Sequence, residues 1–320
     1  MSVRVAVVGY GVMGRYHAMN YAALPGAELV AVVDPDADKR LAAQLELGVD
    51  AYATVAALLA ARQVDAASVA APTSLHYAIT KELLNAGVHV LVEKPVATDV
   101  EQARELAELS RALGLVLQVG HITRFFSSVA KLREEVDRPY LIEARRLVPS
   151  TRVKDVGVIL DLMIHDIDIV LGLVRGEPVE VSVVSRCLNG SPHEDVAAAQ
   201  VLFSDGCIAR LLASRVAPDA ERSLLVAARD RTVRVDFAKE PYAELVVYRA
   251  PEGVTDAGHV QLDRHVIHED NPLKKELDHF LARQAGAAAP IGTLADDLRS
   301  LTLASRLLAE TRRVRGAVTI

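Results

Sequence analysis

The chain has 320 residues, of which 51% are hydrophobic and 24% charged, with 36 Lys/Arg against 42 Asp/Glu and a formal charge of −6. That length predicts about two domains, and the balance of apolar and charged residues argues against intrinsic disorder. The net acidity argues against a nucleic-acid protein, which needs a basic stripe. Two cysteines, Cys187 and Cys207, are too few for a disulfide framework or a Cys-rich zinc site, and they predict a reducing compartment.

No apolar run approaches the ~18 residues of a membrane helix. The opening Met1-Ser2-Val3-Arg4-Val5-Ala6-Val7-Val8-Gly9 has a short apolar run and no separate basic region. It reads as a buried strand rather than a signal peptide, so no membrane association and a cytoplasmic location are expected.

In chain order, short β-branched runs alternate with longer helical patterns through the first 120 residues. Strands are expected at Val3–Val8, Glu28–Val33, Ala66–Ala70, Val88–Val92 and Leu115–Val119. Helices are expected at Val12–Ala23, Asp36–Leu47, Thr54–Ala61, Ser74–Ala86 and Asp99–Leu113. Near-continuous apolar strands joined by helices predict a doubly wound parallel sheet, buried on both faces, over residues 1–120.

After Gly120 the pattern changes, and residues 121–320 read as a second domain of α+β type with a mostly antiparallel sheet. A strand at Tyr140–Val148 precedes a helical segment at Val158–Val174. Strands follow at Val179–Cys187, Ala197–Phe203, Cys207–Arg215, Arg222–Ala228, Thr232–Phe237 and Glu244–Tyr248, with Asp205-Gly206 as a hairpin signal. Pro272–Gln284 is helical. Thr293-Leu294-Ala295-Asp296 resembles a capping box that opens a final helix over about 294–313.

Gly9-Tyr10-Gly11-Val12-Met13-Gly14 is a GxGxxG turn placed between a strand and a helix, the context in which it binds a dinucleotide. Gly9 allows the tight turn, Gly11 lets a pyrophosphate approach, and Gly14 lets the helix pack on the strand. The helix N-terminus offers amides to the phosphates. Asp34, twenty residues past Gly14, can accept a ribose 2′-hydroxyl and would repel a 2′-phosphate, so NAD is expected over NADP. Three further polar groups fall at strand ends, where an open α/β sheet binds its ligand: Pro72-Thr73 with His76, Glu93-Lys94-Pro95, and Gly120-His121.

Lys94, at a crevice edge, suits proton work or donation to a substrate oxygen. Asp161 and His165 stand four apart in a helical pattern, which puts a carboxylate beside a candidate general base. His121, Asp161, His165 and Asp168 could also ligate a metal, but no HxxxH or cysteine cluster supports this, and no metal is expected. Residues 121–154 hold 8 Lys/Arg against 4 Asp/Glu. Arg124, Arg145, Arg146, Arg152 and Lys154 read either as a solvated strand and loop or as a subsite for an anionic substrate. His121, Arg124 and Arg152, with Asp161 and His165, are the substrate-binding candidates.

The GYGVMG turn with Asp34, the APTSLH turn, the EKP tripeptide at Glu93–Pro95 and the DxxxH of Asp161–His165 together resemble the Gfo/Idh/MocA oxidoreductases over nearly the whole chain. The resemblance implies a Rossmann domain and a C-terminal domain whose open sheet mediates assembly into homodimers or homotetramers. It implies Lys94, Asp161 and His165 as the catalytic set, Glu93 and His76 near the nicotinamide half, and allows a cis Lys94–Pro95 peptide. Thr73 stands where many members carry asparagine. His121-Ile122-Thr123-Arg124-Phe125 looks like the branch that oxidises C3 of UDP-N-acetylglucosamine or a related sugar nucleotide, although Phe126-Ser127-Ser128 follows it in place of Asn-Pro. Other readings are a dehydrogenase or reductase of a free polyol, aldose or other carbonyl, and a cofactor-binding sensor without catalysis.

Overall fold

The computed structural model describes residues 2–150, 153, 155–188, 190–239, 241–249 and 261–317. In chain order it begins with β1 (Val3–Val8), α1 (Val12–Ala23), β2 (Ala27–Val33), α2 (Ala37–Leu47), β3 (Asp50–Tyr52), α3 (Val55–Ala61) and β4 (Ala66–Val69). A 3₁₀ turn at Thr73–Leu75 leads into α4 (His76–Asn85), β5 (His89–Glu93), α5 (Val100–Leu113) and β6 (Leu117–Gly120). Then come α6 (Ser127–Glu135), β7 (Leu141–Leu147), a π-helical turn (Ile159–Met163) and α7 (Ile164–Leu171). The strands β8 (Pro178–Arg186), β9 (Val196–Phe203), β10 (Ile208–Ser214), β11 (Glu221–Ala227), β12 (Arg231–Asp236), β13 (Tyr242–Arg249) and β14 (Gln261–His268) follow. Two helices, α8 (Pro272–Gln284) and α9 (Leu294–Ala317), complete the order.

Local chemistry explains many of these boundaries. The side chains of Asp36, Thr54 and Asp99 accept amides of the first turns of α2, α3 and α5, which is N-capping. Gly48 and Gly114 end α2 and α5 at φ +68° and +66°, a region open to glycine at little cost. The Thr293–Asp296 capping box is reciprocal: Thr293 N–H donates to Asp296 at 2.8 Å, and Asp296 N–H donates to the Thr293 hydroxyl at 3.2 Å.

The chain forms two compact units. Unit 1 takes the residues up to Ile122 together with Asn271–Leu298, and unit 2 takes Thr123–Asp270 with the residues from Arg299 onward. A single cut at residue 120 is therefore incomplete. Leu273, Leu277, Phe280 and Leu281 on α8 bury with Val5, Val7, Ala18 and Tyr21, so a helix from late in the sequence completes the first core. Local pattern identifies that helix but not the core that its apolar face joins.

In unit 1 six parallel strands run in the order β3-β2-β1-β4-β5-β6. The direction of winding reverses between β1 and β4, so the loops after these strands flank the switch point where such sheets bind ligands. In unit 2 eight strands run β14-β13-β12-β11-β7-β10-β9-β8. All its pairs are antiparallel except β7 with β10. Three elements have no counterpart in the expected set. β3 has three residues, α6 is short and mostly polar, and β14 lies at the sheet edge with five of its eight residues exposed and none buried, so it shows no apolar core face.

Candidate active site

In unit 1 the glycine turn closes β1 onto α1. Gly9 has φ +92°, and a Cβ there would come within 2.6 Å of the Ala70 carbonyl after β4. A Cβ on Gly14 would lie 1.7 Å from the Gly9 carbonyl oxygen. Above Gly11 no atom lies within 4 Å of an added Cβ, so the backbone there faces open space. The first turn of α1, with Val12 and Met13 half-exposed, has no side-chain cap and no acidic residue. Its free amides and partial positive charge suit an anion. These features fit a dinucleotide pyrophosphate.

Asp34 sits at the end of β2, 3% exposed, and its two oxygens accept Tyr10 N–H at 2.7 Å and Asp36 N–H at 2.9 Å. The Lys39 ammonium lies 3.7 Å away. A carboxylate has about four acceptor sites, so capacity for ribose hydroxyls remains. Tyr10 contributes its backbone to the turn, while its phenol donates to Glu46 at 2.9 Å. Burial, with the Glu46 carboxylate, pushes that phenol up to about 12. After β4, Pro72 is exposed and Thr73 buried at the 3₁₀ turn.

His76 departs from the expected cofactor contact. It is 1% exposed, with Nδ1 2.8 Å from the Pro95 carbonyl oxygen and Nε2 2.9 Å from that of Ala71. Both ring nitrogens face backbone carbonyls and none is offered to a ligand. Burial holds the ring below its ordinary value, against the opposing pull of the two carbonyls.

The Glu93-Lys94-Pro95 segment leaves β5, and the Lys94–Pro95 peptide is cis. Glu93 Oε1 lies 2.9 Å from Nε2 of His17, a fully buried residue of α1. Burial alone would raise the Glu93 carboxyl. The His17 hydrogen bond and the charges of His17, Lys94 and His76 outweigh it and hold the group below the usual carboxylate range. His121, 1% exposed, places Nε2 3.7 Å from Asp297 Oδ1 inside unit 1.

In unit 2 Asp161 lies in the π-helical turn, 6% exposed, and His165 lies half-buried in the first turn of α7. The segment is thus not one uniform α-helix; π turns are rare and concentrate at functional sites. Two carboxylates brace its approach. Glu194 accepts Ile159 N–H at 3.2 Å and presses on Gly157, where a Cβ would meet it at 2.1 Å. Arg215 donates to Asp195 at 2.6 Å and to the carbonyls of Val153 and Val156 at 3.2 and 3.0 Å.

The described arginines of this stretch, read from sequence either as a solvated strand and loop or as an anionic-substrate subsite, do not form one patch. Arg145 and Arg146 are neighbours on β7, and strand alternation sends them to opposite faces. Arg145 pairs with Glu221 at 2.7 Å, and Arg146 pairs through two nitrogens with Asp166 at 3.0 and 2.6 Å. Arg124, 8% exposed in its side chain, is bidentate to Asp168 at 2.9 and 2.5 Å, and Ser300 donates to the same carboxylate at 3.2 Å. These guanidiniums are committed to carboxylates within unit 2. Arg152 and Lys154 lie outside the described residues.

The sequence reading missed His17, Glu194, Asp195 and Arg215. His17 had a signal in being three residues past Gly14 on a helix that packs on a sheet. The other three become legible only when β9, β10 and the π turn are brought together.

Comparison with known proteins agrees with this geometry. Residues 3–121 match the oxidoreductase family with an NAD-binding Rossmann fold, and residues 125–237 match the GFO/IDH/MocA C-terminal domain. The chain is 39% identical over 237 residues to UDP-N-acetylglucosamine 3-dehydrogenase of Acidithiobacillus ferrooxidans, spanning 73% of this chain and 74% of that one. The chain belongs to the Gfo/Idh/MocA oxidoreductase family.

Another Gfo/Idh/MocA relative, scyllo-inositol 2-dehydrogenase (NAD(+)) of Bacillus subtilis, is 30% identical over 233 residues, 68% of each chain. Among solved structures, that of the A. ferrooxidans UDP-N-acetylglucosamine 3-dehydrogenase GnnA superposes with a TM-score of 0.86 at 32% identity, covering 97% of this chain and 98% of that one. As a Gfo/Idh/MocA protein the chain is an oxidoreductase, and unit 1 holds its NAD-binding Rossmann sheet. Gly9, Gly11, Gly14, the first amides of α1 and Asp34 are the residues that fit NAD. Among the described residues no helix is long and apolar enough to cross a membrane, and no group of three or more His, Cys, Asp or Glu could hold a metal.

Proposed function

We propose that the protein oxidises a secondary alcohol of a sugar carried on a nucleotide, of the UDP-N-acetylglucosamine class, at C3. The observation that carries this reading is the 39% identity to UDP-N-acetylglucosamine 3-dehydrogenase across 73% of the chain. Bound NAD supplies the hydride acceptor. His165 takes the proton of the reacting hydroxyl, Lys94 hydrogen-bonds the same oxygen and stabilises its developing charge, and Asp161 orients His165 or binds an adjacent hydroxyl. Gly9 to Gly14 and Asp34 hold the dinucleotide, with Pro72, Thr73 and Glu93 at its rim. His121 and Arg152 are retained as substrate contacts on the resemblance. Arg124 is assigned to its pair with Asp168.

A homo-oligomer assembled through the unit 2 sheet is part of the proposal. Register puts Val184, Leu202, Ile208, Tyr242, Leu262 and Val266 on one face, each more than a third exposed, with the charged Glu143, Arg210, Arg234 and Arg264 between them, a mixed surface of the kind that copies of a chain bury against each other. Light scattering after gel filtration should return two or four copies.

The test of the reaction is absorbance at 340 nm with NAD or NADP against UDP-sugars, free aldoses and inositols. Reduction of NAD with a UDP-sugar alone supports the proposal. Activity on uncharged polyols alone overturns the sugar-nucleotide part in favour of the inositol-type reading suggested by the B. subtilis relative. His165→Ala and Lys94→Ala should each lose about 100-fold or more in kcat with NAD affinity retained, and near-full activity in either removes that residue from the catalytic set.

A further inference from the structure

We propose that His17 and His76 are positioning residues for Lys94, gripping its chain neighbours on both sides. The inference rests on the catalytic reading of Lys94 above.

On the N-terminal side, His17 reaches from α1 to the Glu93 carboxylate at 2.9 Å and is fully buried. On the C-terminal side, His76 reaches from α4 to the Pro95 carbonyl at 2.8 Å while its other nitrogen faces Ala71. A third wall is Gly120 on β6, where a Cβ would stand 3.2 Å from Glu93 Oε2. The Glu93 carboxylate therefore sits between an imidazole and a backbone that has no side chain to displace it.

These contacts join separate elements. α1 is the helix that the glycine turn opens, α4 begins after the turn at Ala71, and Lys94 leaves the end of β5. Two imidazoles thus tie the lysine to both loops at the sheet's switch point. A lysine has four rotatable bonds, so holding the backbone on either side sets the origin and direction from which its ammonium reaches. His17 Nδ1 is buried without a hydrogen-bond partner among the described residues, a desolvation cost that the Glu93 contact must offset. A buried imidazole that serves only packing is more cheaply replaced by an apolar ring.

The experiment compares wild type with His17→Ala, His17→Gln, His76→Gln and Lys94→Ala. Competitive acetylation by acetic anhydride, read per lysine by mass spectrometry, follows Lys94 against Lys39 and Lys81 and needs no substrate. His17→Ala should raise Lys94 acetylation by about threefold or more with the reference lysines unchanged, and His17→Gln, which keeps a donor, should restore it. Kinetics with NAD and UDP-N-acetylglucosamine should show kcat falling about 10- to 100-fold in His17→Ala with KM for NAD nearly constant, and partial recovery in His17→Gln. If His17→Ala does not fold, His76→Gln carries the comparison, with His17→Gln as the near-wild-type control: a rise in acetylation at Lys94 alone in His76→Gln supports positioning, and the outcomes below are then read on that variant. Unchanged Lys94 acetylation, or equal changes at all three lysines, overturns it. Full activity in Lys94→Ala would instead overturn the catalytic reading, and leaves the acetylation result to judge the clamp by itself.

Discussion

The Asp34 carboxylate accepts the Tyr10 backbone N–H at 2.7 Å, so the acid at the end of β2 holds the glycine turn in shape. Asp34→Ala removes the acceptor for Tyr10 and Asp36 together. It should destabilise the protein by about 1–3 kcal/mol and weaken NAD binding by about 10-fold or more, narrowing the preference over NADP. Thermal melts with and without each cofactor read both effects. A variant that loses neither stability nor preference would mean the acid serves neither task.

Gly14 is set by close approach rather than by backbone freedom. Its added Cβ would lie 1.7 Å from the Gly9 carbonyl oxygen, and neither backbone can yield while β1 and α1 stay packed. Gly14→Ala should abolish measurable NAD binding or fail to give a folded protein, whereas Gly11→Ala, with open space around it, should fold and lose affinity alone. Circular dichroism beside calorimetric titration with NAD distinguishes the two. Equal melting temperatures for both variants would contradict this division.

Arg124 and Asp168 form a bidentate pair with both side chains under a tenth exposed. Removing one partner strands a buried charge, so Arg124→Met should cost about 3–5 kcal/mol, while the double change with Asp168→Leu should recover much of that. Chemical denaturation of the three variants tests it. A double variant that folds and still binds a UDP-sugar would confirm the pair as structural. Selective loss of sugar-nucleotide binding would return Arg124 to the substrate.

Acid should weaken the fold in two stages. His89 Nδ1 accepts the Val116 N–H at 2.9 Å, and burial holds His89 and His76 below their ordinary value of 6.5. An imidazole depressed in the folded state binds its proton more readily when unfolded, so the stability it contributes declines as pH falls through 6.5 toward the folded value. Depressed carboxylates add a second loss at lower pH, below the ordinary range of Asp and Glu. In Asp65 the Arg4 hydrogen bond leads. In Asp195, burial is outweighed by the Leu188 amide and Arg215. Melting temperature should be flat well above pH 6.5 and fall as the pH drops through 6.5, and His89→Gln, whose carbonyl can accept from Val116, should flatten that segment. A flat wild-type curve down to pH 5 would contradict the assignment.

Much of this protein was legible in its sequence. The strands β1, β2, β4 and β5, the helices α1 to α5 and the strands from β7 to β13 follow from local periodicity and capping. GxGxxG with Asp34 identified the dinucleotide site because each glycine answers a local demand of turn or approach. Family-specific runs such as EKP and DxxxH each span only a few consecutive residues, which is why each is legible directly in the sequence. What only tertiary structure decided were relations at long range. α8 completes the first core from 150 residues away. Arg124, Arg145 and Arg146, an apparent cluster in the chain, are separated by strand alternation and by carboxylates on other elements. His17 meets Glu93 only because β5 lies two strands from β1 in the sheet order. A sequence determines which residues favour a helix, strand or turn through short-range sterics and solvation. Which charges end up neutralised is set by packing, because a buried ion needs its partner in space and not in sequence.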